Sequence, residues 1–247
     1  VAEIAAQLQM SRATTHRYLS TLTKLGYLRQ DDSRKYALSL DVADLGLAAL
    51  NAMGLPTHAH PYMAALAKRV RHPVELSVLD GCESLIVDSV GKTPGRPRAA
   101  QRTPRVGARE LAHRTSAGRV LLAHLSKPAC SRLLDQLEQA ERDAGATLGP
   151  APPLDLARLR ADLAEVRREG VAVFDEEARA GAYTIAAPVR GESGDVLAAL
   201  GVAVAAELIE VEELDDRYGS QLERTANEIS ERLGFDGSDQ PPRVRHA

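Results

Sequence analysis

The chain has 247 residues and a net charge of −3; 44% of its residues are apolar, only 3% are aromatic, and there is no Trp. That length allows one large domain or two ordinary ones, with a core filled by Leu, Val and Ala. No apolar run approaches the ~20 residues of a membrane span, and the only cysteines, Cys82 and Cys130, form no CxxC, which excludes a thiolate zinc module and suits a reducing cytoplasm.

Charge is uneven along the chain. Residues 1–40 hold six basic and three acidic side chains, a balance of +3 that leaves −6 for the remainder. A basic end on an acidic body is the footprint of a DNA-reading module joined to a domain with other work. "AEIAAQLQM" predicts a short helix, with Ile4, Ala5 and Leu8 on one side. Ser11 can cap a second helix. Its inward face is expected to carry Thr15, Tyr18, Leu19 and Leu22 at i, i+3, i+4 and i+7. The other face shows Arg12, Ala13, Thr14, His16 and Arg17, and Gly26 ends the helix. "YLRQ" and "KYALSL" read as strands joined by the polar turn "DDSR".

Helix, turn, helix and two-stranded wing describe a winged helix-turn-helix, whose second helix enters the major groove. Arg12 and Arg17 can donate to guanine edges or phosphates, and Thr14 and His16 can reach either. Arg34 and Lys35, in the wing, suit phosphate or minor-groove contacts. The DNA-contacting set expected is Ser11, Arg12, Ala13, Thr14, His16, Arg17, Arg34 and Lys35. A solvated charged face is the competing reading; the cap, both helices, the wing and the local charge all favour DNA.

"DVADLGLAALNAM" predicts an amphipathic helix with Val42, Leu45, Ala49, Leu50 and Met53 on one stripe, either a linker packing on a partner subunit or a cover for its own domain. Pro56 and Pro61 bracket "THAH", a hinge before a helix through 62–71. "PVELSVLDG" and "ESLIVDSV" are strands joined at Asp80–Gly81. Residues 91–109 hold six basic residues and no acid, a solvated loop unless Arg102 or Arg105 meets an anion or another subunit. "SAGRVLLAHL" is a helix capped by Ser116, and 139–153 reads as a surface loop. "LDLARLRADLAEVRREG" is a helix with Leu156, Leu159, Leu163 and Val166 inward and Gly170 as its stop. "VAVFDEE", "YTIAAPVR" and "VLAALGVAVA" are strands, the last two a hairpin around "GESGD". A long helix over 208–233 and a frayed tail follow. The fold class expected is α+β, an antiparallel sheet with flanking helices behind the winged helix-turn-helix.

Taken in order and spacing, "AEIAAQLQMSRATTHRYLSTLTKLGYLRQ", "VELSVLDG", "AHRTSAGRVLLAHL", "VRREGVAVFDEEARAGAYTIAAPVR" and "VLAALGVAV" resemble the IclR family of bacterial transcription regulators. The resemblance implies a winged helix-turn-helix at 1–40, a linker helix at 41–56, a GAF-like effector-binding domain at 57–235 and a flexible tail at 236–247. It implies homodimers or tetramers on double-stranded operator DNA, a small organic acid as effector, no cofactor and no enzyme activity. Family chains usually carry another helix before the point where this sequence opens, so a helix ahead of Val1 is expected. The family's ligand pocket, carried over by position, falls on Ser116, Ala117, Phe174, Thr184, Gly201 and Ala203. A helix start favours a carboxylate, and Thr184 adds a hydroxyl. Phe174 departs from the Asp or Asn of many members, and Gly201 and Ala203 are small where some relatives carry hydroxyls. The pocket is therefore expected to be roomy and apolar, suited to an aromatic or medium-sized acid; Phe174 turned outward or packed in the core is the plainer alternative.

Three rival readings compete. Ser116, His113 and Asp175 could form a hydrolytic triad, although no GxSxG elbow is present. His58, His60 and His72 could ligate a metal, although no acid or cysteine completes the set. The chain could also be a sensor acting through protein contacts alone.

Overall fold

The computed structural model describes residues 1–52, 54–91, 105–148, 154–175 and 181–237, without the side chains of 47, 50, 51 and 143–148. Met53, residues 92–104 with Arg102, residues 176–177 and the tail from 238 lie outside the described residues. The chain divides into two compact units, Val1–Gly54 and Leu55–Ala247.

The first unit runs α1 (Ala2–Gln7), α2 (Arg12–Lys24), β1 (Leu28–Gln30), β2 (Tyr36–Leu38) and α3 (Asp41–Ala52). The turn between α1 and α2 places Gln9 in left-handed backbone at φ 51°. Leu25 closes α2, and Gly26 follows at φ +85°, where a Cβ would lie 2.6 Å from Asp41 Oδ2. Only glycine meets both demands. β1 and β2 pair antiparallel from Leu28↔Leu38 to Gln30↔Tyr36. Thr15 and Leu19 are buried as expected of the inner face of α2, but Tyr18 and Leu22 are 55% and 38% exposed. The correction has a simple cause: α1 is only six residues long and covers one part of that face. On α3, Val42 is half-buried, while Leu45 and Ala49 are exposed.

The second unit opens with α4 (Leu55–Val70), not with a proline hinge. Pro56 sits in the first turn, where no intrahelical N–H is required. Pro61 costs one backbone hydrogen bond, yet Leu55, Ala59, Met63, Leu66 and Val70 are all buried along one stripe and hold the helix together. β3 (Val74–Asp80) and β4 (Glu83–Val90) form a hairpin closed by Gly81 and Cys82. β5 (Arg109–Leu111), which starts at the last residue of the expected basic loop, pairs with β4, and Arg109 bridges Asp80 at 2.6 Å and Glu83 at 3.1 Å. Then come a 3-10 turn (Ala112–Arg114), α5 (Ser116–Ala123), α6 (Lys127–Leu148), α7 (Leu156–Glu169), β6 (Ala172–Asp175), β7 (Ala182–Arg190), β8 (Val196–Ala205) and α8 (Ser220–Arg232).

Three expectations are corrected here. α6 runs through 139–148 rather than leaving a loop, anchored by the fully buried Leu134 and Leu137. The closing α-helix begins only at Ser220. Ile209 is buried in extended backbone at φ −162°, which a helix through 208 forbids, and a wide turn at Asp215–Gly219 precedes α8. Phe235 is not frayed: it is 7% exposed and its N–H donates to Ser230 O.

The six strands form one antiparallel sheet in the order β5-β4-β3-β8-β7-β6. Strand alternation gives each face its own helices. The face with Leu76, Ile185, Leu200 and Val202 meets α4 and α8. The opposite face meets α5, which packs over β3, β8, β7 and β6. Register places Ser89, Glu75, Gly201, Ala186 and Ala172 in one row across that second face. Ala172, Ala186 and Ala199 join Ala117, Val120, Leu121, Leu159 and Leu163 in its apolar core. Small strand residues let α5 approach the sheet closely.

Candidate DNA-reading and effector-binding sites

In the first unit, Ser11 Oγ accepts from the Thr14 N–H at 3.1 Å, the capping bond that starts α2. The Ser11 and Thr14 hydroxyls lie 2.8 Å apart, so both belong to the cap. Arg12, Ala13, His16 and Arg17 project from the exposed side of α2. Arg34 and Lys35 sit at the exposed wing turn, with Arg34 in left-handed backbone at φ 61°. Asp31 shapes that turn: its carboxylate accepts from Lys35 N–H at 2.8 Å and Ser33 Oγ at 2.7 Å, contacts that hold its pKa below the usual carboxylate range. Among the described residues, Arg12, Arg17, Arg34 and Lys35 form no ion pair. Their charge is therefore available to a polyanion.

In the second unit, the residues singled out by sequence share one face of the sheet. Thr184 pairs directly with Phe174 on one side and Ala203 on the other, and Gly201 lies two residues along β8. α5 lies over this face and begins with Ser116 and Ala117, both 1% exposed. The cap is Thr115, not Ser116: Thr115 Oγ1 accepts from the Gly118 N–H at 2.9 Å. Thr115 has the extended backbone of a cap (φ −135°, ψ 149°), while Ser116 is already helical. Ser116 Oγ is thus buried without a hydrogen-bond partner among the described residues. With Gly118 N–H taken by the cap, the first-turn N–H groups of Ser116 and Ala117 remain for another acceptor.

Two side chains that the sequence reading passed over enter this site. Arg119 lies 4.4 Å above the Phe174 ring, donates to His113 O at 2.9 Å and pairs with Asp162 at 3.1 Å. Burial holds its pKa below the ordinary guanidinium range, with Asp162 working the other way. Phe174 is accordingly half-buried under a cation rather than turned away from the protein. Glu75 is the other: a Cβ on Gly201 would lie 3.2 Å from Glu75 Cγ and 3.3 Å from Oε1. The space left by Gly201 is therefore occupied by a carboxylate side chain, and the site is more polar than expected.

The rival constellations are not assembled. His113 Nε2 lies 2.5 Å from Glu141 Oε1, and Arg114 grips the same carboxylate through Nε at 2.6 Å and through Nη2, while Ser116 Oγ makes no hydrogen bond to His113. His60 Nδ1 pairs with Asp88 Oδ2 at 2.7 Å, whereas His72 Nε2 meets Tyr218 Oη at 2.9 Å, so the three histidines proposed as ligands are spent on separate partners or stand apart. No helix among the described residues is long and apolar enough to cross a membrane.

Comparison with known proteins decides the lineage. The bacterial transcriptional regulator IclR C-terminal domain matches residues 47–231, and the IclR helix-turn-helix domain matches residues 1–32. The chain belongs to the IclR family of bacterial transcriptional regulators. Among IclR-type relatives, the Pca regulon regulatory protein of Pseudomonas putida is 30% identical over 218 residues, 88% of this chain and 72% of that protein. The regulator KdgR of Dickeya chrysanthemi is 28% identical over 239 residues, 95% and 74%. An IclR homolog of Microbacterium hydrocarbonoxydans, solved with 4-hydroxybenzoate, shares the fold at a TM-score of 0.73 and 24% identity, covering 94% of this chain and 90% of that one. The IclR family is one of transcriptional regulators rather than enzymes, which agrees with the unassembled Ser116–His113 pair.

Proposed function

We propose that this IclR-type regulator reads a near-palindromic operator as a dimer or tetramer and answers to a small organic acid, aromatic or of similar size. For DNA, the reading rests on the exposed side of α2, where Arg12, Ala13, His16 and Arg17 stand beside the Ser11–Thr14 cap with no ion pair among the described residues to neutralise them. α2 then lies in the major groove, and Arg34 and Lys35 track phosphates from the wing. Arg17→Ala should weaken specific binding by about 1–3 kcal/mol if it reads a base, while Lys35→Ala should weaken all sequences alike and flatten the salt dependence. Gel shifts on the upstream intergenic DNA test this; an Arg12/Arg17 double alanine variant with unchanged affinity would sink the assignment.

For the effector, the observation that carries the reading is the Phe174–Thr184–Ala203 line lying on the sheet face that α5 covers. The Ser116 and Ala117 N–H groups, the Ser116 hydroxyl and the helix dipole receive the carboxylate. Phe174, Ala117 and Ala203 supply apolar walls. That a fold relative was solved with 4-hydroxybenzoate supports an aromatic acid as the class to test. A binding acid alters operator affinity only by its preference between two states of the protein. A thermal-shift screen of aromatic acids and short oxoacids, followed by calorimetry, is the test. Binding of oxoacids alone would refute the size argument, and unchanged affinity in Gly201→Leu would refute the location.

A further inference from the structure

The sheet face beneath α5 carries a second polar group beyond the residues already placed in the effector site. Glu75 and Ser77 are two apart on β3 and so share a face, and Ser89 of β4 is registered directly opposite Glu75. Gly201 of β8 is registered against the other side of Glu75, and its missing side chain leaves the room that the Glu75 carboxylate leans into. Ser77 is 1% exposed, and the hydroxyls of Ser77 and Ser89 are both buried without a hydrogen-bond partner among the described residues. Buried hydroxyls are nearly always satisfied in folded proteins, and those that are not call for an explanation such as a ligand. Here two such hydroxyls flank one carboxylate, on the same face of the sheet that the Ser116 end of the site uses.

We propose that Glu75, Ser77 and Ser89 form a hydroxyl-reading end of the effector site, selecting an acid that carries a hydrogen-bond donor remote from its carboxylate. The inference rests on the effector reading above and extends it from the size of the ligand to its chemistry. An ionised carboxylate accepts and cannot donate. It has more acceptor positions than a single partner fills, so the interaction Glu75 already has does not exhaust it. Serine hydroxyls both donate and accept, so Ser77 and Ser89 can take the ligand hydroxyl's lone pairs while Glu75 takes its proton. A ligand with only carbon at this end would leave the Ser77 and Ser89 hydroxyls unsatisfied, the arrangement by which sites reject analogues that lack a hydroxyl.

Calorimetry on the full chain with benzoate and with 2-, 3- and 4-hydroxybenzoate tests the proposal. At least one hydroxylated acid should bind tenfold or more tightly than benzoate. Ser77→Ala and Glu75→Leu should each remove most of that advantage, weakening the hydroxylated acid while benzoate binds as well or better, and an unchanged circular dichroism spectrum reports that the fold is intact. Equal affinity for benzoate and every hydroxybenzoate in the unaltered protein overturns the hydroxyl reading alone. So does a preference that survives both substitutions. Binding of none of the four acids overturns the aromatic-acid reading and this proposal together.

Discussion

Thr115 and Ser116 are adjacent hydroxyl residues in opposite physical situations: Thr115 caps α5, the role that residue type suggests for Ser116. A serine opening an apolar helix is a good cap by type. Which of two neighbouring hydroxyls caps is decided by backbone geometry: the extended one reaches the N–H two or three residues on, and here that is Thr115. Thr115→Ala should therefore lower stability by about 1 kcal/mol, the usual value of a cap. Ser116→Ala should leave stability unchanged or raise it, because it removes a buried hydroxyl with no partner among the described residues. Urea denaturation of both variants checks this. If Ser116→Ala proves the more damaging, the cap has been misassigned. The same variant should lower effector affinity, so its two readouts move in different directions.

At the scale of elements, what sequence revealed depended on how local the cause was. The cap and stop signals of α2 and α7 lie within one turn of chain: Ser11, Gly26, Asp155 and the left-handed Gly170 are all found doing what their types imply. Phe174, Thr184, Gly201 and Ala203, the strand positions implied by the family resemblance, share one face of the sheet, and for Thr184, Gly201 and Ala203 the register follows from the β7–β8 hairpin. Where tertiary burial overrides a local signal, sequence and structure part. Pro61 should break a helix, but five buried apolar side chains carry α4 past it. β5 has three residues and no strand pattern of its own, and it exists by pairing with β4. Glu75 and Arg119 were illegible as site residues because their roles come from strand neighbours and helix packing, not from any motif. Gly118 shows the same dependence on packing. A Cβ there would lie 2.1 Å from Ala112 O, so α5 can rest on the 112–114 turn only with glycine at this position. Gly118→Ala should displace the start of α5, with a stability loss of about 1–3 kcal/mol or more and a loss of acid binding. Retention of both in calorimetry would show that the turn yields without cost.

At the scale of the molecule, stability against acid and assembly follow from features spread over the chain. Burial lowers the pKa of His72, of His113 and of His124, the last to about 4. Below the ordinary histidine pKa of about 6.5 the unfolded chain takes up protons that the folded chain refuses, so folded stability is complete above that pH and declines as pH falls from 6.5 towards 4. The urea midpoint should be lower at pH 5 than at pH 7.5, and His124→Gln should shrink the difference; equal midpoints would contradict the burial of these rings. For the dimer proposed above, the expected seam is α3. Leu45 is 53% exposed and Val42 only half-buried; a single winged helix makes too few contacts for tight specific binding, and under the proposed dimer two copies would present α2 to two half-sites. Exposed apolar residues on one helix face are a surface with much to gain from a second copy. Replacing Leu45 and Leu50 with Glu should place like charges on both sides of that seam and leave monomers, each with one recognition helix. Light scattering at micromolar concentration should then report half the native mass or less, and operator affinity should fall while folding, followed by circular dichroism, persists. A native protein that is already monomeric at that concentration, or an assembly that survives both glutamates, would place the seam elsewhere.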